Sequence, residues 1–237
     1  MASTRPHRHE HEKYERLIAA TKGLKPLPAA IAYPCDESSL SGALEAARAG
    51  MILPILVGPR AKLISNLESL KEKPTQWEIV DASNSVDAAG KSVQLVRSGT
   101  AEVIMKGSLH SDELLEAVAK KETGLRTGRR ISHVFVMDVP SHPHTLFITD
   151  AAVNIAPDLA AKRDIIQNAV DLYAALGLGV PKVAILSAVE TVTTRIPSTI
   201  EAAALCKMAD RGQITGCEID GPLAFDNAIS VEAARIK

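Results

Sequence analysis

The segment AEVIMKGSLHS (residues 101–111) places an apolar run, a polar glycine loop and the start of a helix in direct succession. The apolar run, Val103–Met105, ends at the tripeptide Lys106–Ser108. From Ser111 onward, apolar residues recur at helical spacing, which predicts a strand, a loop and a helix N-terminus in that order. This order is typical of α/β proteins.

The loop that joins this strand to this helix is a candidate anion site. The free N–H groups and the positive dipole end of a helix N-terminus attract anions. Lys106 adds a positive charge, and Ser108 and Ser111 add hydroxyl donors. His110 is a candidate general acid or base, because its unperturbed pKa lies near neutrality. An ordinary turn capped by Ser111, with a structural His110, is the alternative interpretation.

The rest of the chain continues the alternation of strands and helices. Strands are predicted at residues 29–33, 51–57, 77–80, 103–105, 131–139, 145–149, 182–187 and 217–219. Helices are predicted at 38–49, 62–70, 86–97 (with Val86, Ala89, Val93 and Val96 inward), from 111, at 162–176, and between Ser198 as N-cap and Gly212 as C′. Residues 131–139 and 145–149 suit an antiparallel hairpin, and the alternation elsewhere predicts a largely parallel sheet covered by helices.

A glycine- and arginine-rich loop near residues 127–130 predicts a domain boundary. Residues 1–28 are expected to be a polar N-terminal extension, 29–128 a first α/β domain and 129–237 a second. The extension carries His7, His9 and His11. A solvated tail is favoured over a metal site there, because no carboxylate or cysteine ligand pattern accompanies these histidines.

The composition excludes several classes of protein. The 237 residues are 46% hydrophobic but only 3% aromatic, so aliphatic side chains must fill the core. A net charge of −1 provides no general attraction to nucleic acid or to anionic membranes. No apolar run approaches the roughly 20 residues that a membrane span needs. Three scattered cysteines are typical of reduced thiols in a cytoplasmic protein.

Further polar candidates follow predicted strands. They are Thr149 and Asp150 with Asn154, Ser187 with Glu190, and Asp220 with Gly221. A carboxylate at the carboxyl end of a strand commonly faces a ligand in α/β proteins, but Asp and Asn equally serve caps and turns. Arg126, Arg129 and Arg130 lie in the loop between the predicted domains, where they either clamp phosphate or form a solvated basic loop. Cys35 is expected to be a buried structural cysteine.

Several familiar nucleotide and hydrolase motifs do not occur in the chain. No G-x-G-x-x-G follows the first strand, and neither a P-loop motif nor a G-x-S-x-G is present. Ordinary dinucleotide-binding, P-loop and α/β-hydrolase interpretations are therefore disfavoured.

Long blocks in the right order resemble the phosphate acetyltransferase and phosphate butyryltransferase family. They are MKGSLHSDELL (105–115), KETGLRTGRRISHVFVMDVP (121–140), LFITDAAVNIAPDLAAKRDIIQNAV (146–170), PKVAILSAVETV (181–192), IPSTIEAAALCKMADRGQITG (196–216) and DGPLAFDNAIS (220–230). The resemblance covers about residues 29–237. The chain most closely resembles the butyryltransferase-like branch of the family. This branch includes the acyltransferase portions of bifunctional proteins that also contain an enoyl-CoA hydratase-like domain.

The resemblance implies reversible transfer of an acyl group between coenzyme A and inorganic phosphate. The implied fold is two three-layer αβα domains around a cleft, similar to isopropylmalate dehydrogenase. The implied mechanism is direct attack of the coenzyme A thiolate on an acyl phosphate, without a metal or cofactor. A homodimer is expected from the family. By position, Gly107, Ser108, His110 and Ser111 match the family's phosphate-side loop, and Thr149, Asp150 and Asn154 match its second-domain cleft block.

Two departures from the family pattern affect these expectations. Acetyltransferase members carry an arginine in the helix after the glycine loop, whereas this chain has Glu113–Glu116 there, and Arg126 is the candidate substitute. The family also continues past Lys237 with a segment that holds the aspartate thought to activate the thiol. We therefore expect a fragment of an acyltransferase or, alternatively, a catalytically incomplete module that binds phosphate or acyl phosphate.

Overall fold

The computed structural model describes residues 11–236. The strands are β1 (Leu27–Ala32), β2 (Ile52–Gly58), β3 (Glu78–Asp81), β4 (Val103–Lys106), β5 (Val134–Met137), β6 (Leu146–Thr149), β7 (Lys182–Leu186) and β8 (Glu218–Leu223). The helices are α1 (Glu12–Ala20), α2 (Glu37–Arg48), α3 (Arg60–Ser69), α4 (Ser85–Arg97), α5 (Ser111–Ala119), α6 (Leu159–Ala175), α7 (Pro197–Asp210), α8 (Phe225–Ile229) and α9 (Val231–Ile236). The chain forms two compact units. The first unit is Ala19–Gly128, and the second contains the residues from Arg129 onward together with residues 11–18.

The first unit is built on a four-stranded parallel sheet in the order β3-β2-β1-β4. Because β1 lies inside the sheet, Ala29–Ala32 are completely buried. Alternate residues of β1 face opposite sides, so Ala29 and Ile31 join one core cluster while Ala30 and Ala32 join two others. The sheet therefore has helices on both faces, as the alternating pattern predicts.

Helices α2 and α3 cover one face of the sheet, and α4 and α5 cover the other. On the first face the buried side chains of the helices are Leu40, Ala43, Leu44, Leu63 and Leu67. On the second they are Ala88, Ala89, Val93 and Ala117. Val86 is 59% exposed, so the prediction that it faces inward is wrong. It lies in the first turn of α4, where Asn84 caps the helix by accepting from the N–H of Asp87 at 3.0 Å.

The second unit contains two separate two-stranded sheets, whereas the resemblance implies one layered sheet. Strands β5 and β6 pair antiparallel, which confirms the predicted hairpin, and β7 and β8 pair parallel. The main apolar cluster joins α6 and α7 through Ile166, Val170 and Leu205, with Ile214 from the following loop.

Three expectations about local structure need correction. Ile196 occupies the N-cap of α7, because Pro197 suits the first helical position, and Ser198 is already helical. Strand β8 continues through Asp220 to Leu223 instead of ending there. Residues 12–20 form α1 rather than a solvated tail, and Lys13 Nζ lies 2.7 Å from Asp138 Oδ1. His7 and His9 lie outside the described residues.

Within residues 11–236, no helix has both the length and the apolar character needed to cross a bilayer.

Candidate functional site

The glycine loop leaves β4 at the carboxyl edge of the first sheet and continues its pairing with β1 by two more bonds. The N–H of Gly107 donates to the carbonyl of Ala32 at 2.8 Å, and the N–H of Ser108 donates to that of Tyr33 at 2.9 Å. The loop is thus fastened to the turn that follows β1 before α5 begins at Ser111.

Close backbone approach explains why position 107 is glycine. A Cβ added there would lie 2.5 Å from the carbonyl oxygen of Tyr33 and 2.6 Å from that of Ala32. Both atoms belong to backbone that is itself hydrogen-bonded, so neither can move away cheaply. Gly107 therefore allows the loop and the turn after β1 to lie against each other.

The hydroxyl of Ser108 forms part of the same junction. Its Oγ donates to the carbonyl of Tyr33 at 2.9 Å and accepts from the N–H of Cys35 at 3.1 Å. Tyr33 has a φ of 55°, a left-handed conformation that is rare for a bulky residue. Lys62 Nζ lies 5.9 Å from the centroid of the Tyr33 ring. Neither Tyr33 nor Lys62 was predicted to be near the loop.

The start of α5 lies directly after this loop. The N–H of His110 donates to the carboxylate of Glu113 at 3.0 Å, and the other oxygen of Glu113 accepts from Ser85 Oγ at 2.8 Å. His110 and Ser111 are both exposed. The prediction that Ser111 caps the helix is wrong, because His110 occupies the N-cap position.

Lys106 is the last residue of β4 and is solvent-exposed. Its Nζ donates weakly to the carbonyl of Gly107 at 3.4 Å. No carboxylate within the described residues pairs with it, so its positive charge is available to a ligand. Arg126 is also exposed, in the stretch between α5 and the second unit.

Cys35 is 6% exposed. Burial raises the pKa of its thiol, the positive charge of Lys62 works in the opposite direction, and Asp36 adds to the increase. Because the thiol is buried and protonated near neutral pH, Cys35 fits the structural interpretation better than that of a nucleophile.

Asp150 is the centre of a polar network in the second unit. Its carboxylate accepts from the N–H groups of Ala152 at 3.1 Å, Val153 at 3.0 Å and Asn154 at 3.2 Å, and from the Asn154 side-chain amide. Burial acts to raise the pKa of Asp150, but these donors outweigh it and hold the pKa below its usual value. The hydroxyl of Thr149 donates to the carbonyl of His133 at 2.6 Å.

Arg130, one of the three arginines of the predicted inter-domain loop, extends this network. Its Nε donates to Asn154 Oδ1 at 2.8 Å, and its backbone N–H donates to Asp164 at 2.9 Å. This N–H and the guanidinium of Arg163 lower the pKa of Asp164. The Asn154 side chain is therefore fixed between a cation and a carboxylate.

Ser187 and Glu190 both lie in the segment that follows β7, where each has its own hydrogen-bond partner. Ser187 Oγ is 2.8 Å from Ser198 Oγ in α7, and Glu190 accepts from the side-chain amide of Asn227 at 2.6 Å. A Cβ on Gly221 would lie 2.7 Å from Cβ of Ile185, so this glycine also permits close strand approach.

The structure brings the predicted residues together in two groups. Residues 106–111 lie in one segment, and Asp150 bonds to Asn154 beside Thr149 in a second group, whereas Ser187 and Glu190 follow β7 and bond to different partners, Ser198 and Asn227. Within residues 11–236 no group of three His, Cys, Asp or Glu side chains is arranged to hold a metal. Tyr33 could have been found from sequence, because parallel strands end at the same sheet edge. Lys62 carries no local sequence signal, and the sequence singled out Arg130 as a basic loop residue but not its bond to Asn154.

The fold and these groups define an α/β protein with a candidate anion loop at a sheet edge. Residues 64–237 match the family model described as phosphate acetyl/butaryl transferase. The chain is 64% identical over 225 residues to the phosphate acetyltransferase of Rhizobium meliloti, covering 95% of this chain and 71% of that protein. It is 40% identical to the phosphate butyryltransferase of Clostridium acetobutylicum, covering 95% of this chain and 75% of that protein.

A solved structure is similar as well. The branched-chain phosphotransacylase of Enterococcus faecalis superposes with a TM-score of 0.73 at 28% sequence identity, covering 89% of this chain and 73% of that one. The chain therefore belongs to the phosphate acetyl/butyryltransferase family, whose members are transferases.

Proposed function

We propose that this chain transfers an acetyl or short-chain acyl group reversibly between coenzyme A and inorganic phosphate, with an acyl phosphate as the phosphate-side compound. The observation that carries the proposal is the family match over residues 64–237, which includes the glycine loop and the polar candidate residues of the second unit. The exposed, unpaired charge of Lys106 beside the start of α5 supports a phosphate-bearing substrate.

The reaction requires three kinds of group. The thiolate of coenzyme A attacks the carbonyl carbon of the acyl phosphate, a carbon–sulfur bond forms, and the carbon–oxygen bond to phosphate breaks. Phosphate must be held, the developing oxyanion needs donors, and the thiol must lose a proton. Lys106 and the N–H groups that begin α5 suit the first task.

The remaining two tasks, stabilising the oxyanion and deprotonating the thiol, need donors and a base. Asn154, Ser187 and Arg126 carry N–H or O–H groups, and Asp150 and Glu190 carry carboxylates. Asp150 is already saturated with donors, so it suits orientation of Asn154 better than proton abstraction. Coenzyme A enters as a substrate and no cofactor is part of the proposal.

The proposal includes the finer expectations that the family resemblance raises. These are an isopropylmalate dehydrogenase-like arrangement of two domains, a homodimer and a cytoplasmic location. The three cysteines, all free, are compatible with a reducing compartment.

An acyl-transfer assay tests the proposal directly. Acetyl and butyryl phosphate are supplied with coenzyme A, and thioester formation is followed for this chain and for the same sequence within its full reading frame. Lys106→Ala should reduce phosphate-side binding by about tenfold, as loss of a charged contact implies. Lys25→Ala, an exposed lysine just before β1, is the matched control. Phosphate binding without transfer in either length of chain would favour the binding-module alternative.

A further inference from the structure

The junction between the glycine loop and the turn after β1 contains more hydrogen bonds than a simple strand end needs. The carbonyl of Tyr33 accepts from the N–H of Ser108 at 2.9 Å, from Ser108 Oγ at 2.9 Å and from the N–H of Cys35 at 2.8 Å. Ser108 Oγ also accepts from the N–H of Cys35 at 3.1 Å. One serine side chain thus joins both ends of the Tyr33–Cys35 turn to the loop.

The chemistry of a hydroxyl limits what Ser108 can do for an anion. A serine hydroxyl has one proton to donate and two lone pairs that accept. The proton of Ser108 is directed to the Tyr33 carbonyl, and its other acceptor within reach is the carboxylate of Asp36. Both are internal partners. What remains on Ser108 is accepting capacity, which the unprotonated oxygens of a phosphate cannot use.

The turn that Ser108 holds is rigid and strained. Tyr33 has a φ of 55°, which a bulky residue keeps only where its surroundings determine the conformation. Its ring packs against the clusters on both faces of the sheet, and Lys62 Nζ lies over it at 5.9 Å. The turn is therefore a fixed reference point at the sheet edge, to which Ser108 and Gly107 fasten the loop.

We propose that Ser108 is a positioning residue that latches the glycine loop to the Tyr33–Cys35 turn, so that Lys106 and the first N–H groups of α5 face the anion. Ser108 does not itself bind the anion. The identity of that anion as phosphate rests on the proposed function. The latch itself rests on the four hydrogen bonds between Ser108, Tyr33 and Cys35.

Two measurements on the full 237-residue chain test the latch. Amide hydrogen exchange of Cys35 is measured without ligand, and the affinity for inorganic phosphate is measured by calorimetry. Ser108→Ala should speed exchange at Cys35 and weaken phosphate binding, each by about fivefold or more. The reason is that the N–H of Cys35 loses Ser108 Oγ, one of its two acceptors, and the loop loosens. Ser108→Thr keeps the Oγ and should restore both values.

Ser98→Ala is the matched control. Ser98 Oγ also bonds to backbone, at 3.0 Å from the carbonyl of Leu95, but it lies at the end of α4. This variant should change neither the exchange of Cys35 nor phosphate affinity.

The possible results separate the latch from direct binding. Weaker phosphate binding in Ser108→Ala with unchanged Cys35 exchange would make Ser108 a ligand and overturn the proposal. Faster exchange with unchanged affinity would show that the latch does not position the site, which also overturns it. Absence of phosphate binding in the wild-type chain would overturn the phosphate assignment of the proposed function, while the exchange data still decide whether the latch exists.

Discussion

The two units of this chain bury their strands to very different extents. In the first unit, Ala29–Ala32 of β1 and Leu56 and Val57 of β2 are completely buried. In the second, no residue of β5, β6 or β7 within the described chain is buried, and Leu186 is 47% exposed. Four parallel strands with helices on both faces bury their central residues, whereas a two-stranded sheet is too small to bury its own side chains.

The second unit compensates with polar contacts. Asp150 and Asp164 accept backbone N–H groups from the segments that flank the hairpin and α6. Apolar side chains remain exposed there, among them Phe135, Val180, Leu186, Val192, Phe225 and Val231. Apolar packing therefore dominates the stability of the first unit, and hydrogen-bonded carboxylates matter more in the second.

The largest contrast should come from equivalent leucine truncations in the two units. Leu56→Ala removes a fully buried side chain from β2 and should cost about 3 kcal/mol of unfolding free energy. Leu186→Ala, in half-exposed β7, should cost less than about 1 kcal/mol. Urea unfolding followed by Trp77 fluorescence reports the first unit, since Trp77 is the chain's single tryptophan and packs on its core.

Far-UV circular dichroism follows both units in the same urea titration. If Leu56→Ala and Leu186→Ala lowered the free energy of unfolding by the same amount, the idea that the two cores differ in packing would be wrong.

Alanine substitutions at two glycines of the first unit, Gly107 and Gly90, should give the next largest difference in stability. Gly107→Ala places a Cβ 2.5 Å from the Tyr33 carbonyl oxygen and should destabilise the unit by about 2 kcal/mol or more. Gly90→Ala, with nothing within 4 Å of its Cβ in the middle of α4, should stabilise the unit by about 0.5–1 kcal/mol. Thermal unfolding of both variants checks the difference. An unchanged melting temperature for Gly107→Ala would mean that the backbone around Tyr33 can move to accommodate a Cβ at position 107.

Much of the first unit's fold could be predicted from sequence, because its signals are local. Strand β2 is a continuous apolar run that ends at Gly58, and helix α2 shows an apolar period and ends just before Gly50. Strand β4 and helix α5 lie where the pattern predicts them. The errors were of another kind. Val86 fits the apolar period of α4 but is exposed in its first turn, and the start of α7 depends on Pro197 rather than on serine capping.

The candidate site was less accessible to prediction from sequence. The loop 106–111 is contiguous, so its residues could be grouped from the chain alone. Its fastening to Tyr33 required knowing that β1 and β4 are neighbours, although 75 positions separate Tyr33 from Ser108. The bond from Arg130 to Asn154 depends on how an irregular loop folds, for which no periodic pattern exists.

The carboxylate network of the second unit should make its stability depend on pH. The pKa of folded Asp150 lies below its value of about 3.9 in an unfolded chain. Its contribution is therefore present above about pH 3.9 and is lost as the pH falls toward the folded pKa. Asp150→Asn should cost about 1–2 kcal/mol near neutral pH, because an amide group then faces backbone N–H donors.

The measurement is the urea midpoint by circular dichroism, near neutral pH and below about pH 3. The difference between wild type and Asp150→Asn should shrink at the lower pH. Glu218→Gln, whose carboxylate is exposed on β8, is the control and should show little difference at either pH. A gap between wild type and Asp150→Asn that does not change with pH would show that the variant acts through packing rather than through charge.

The smallest effects should come from ion pairs on the two surfaces. Arg48 pairs with Glu72 in the first unit, and Lys207 pairs with Asp210 at 2.6 Å in the second, with both basic side chains more than half exposed. Exposed pairs gain little, since water and salt screen them and two long side chains must be ordered. Arg48→Gln and Lys207→Gln should each change the unfolding free energy by no more than about 0.5 kcal/mol. High salt should abolish even that difference. If Lys207→Gln instead cost as much as Asp150→Asn, surface charge rather than hydrogen-bonded carboxylates would compensate for the open core of the second unit.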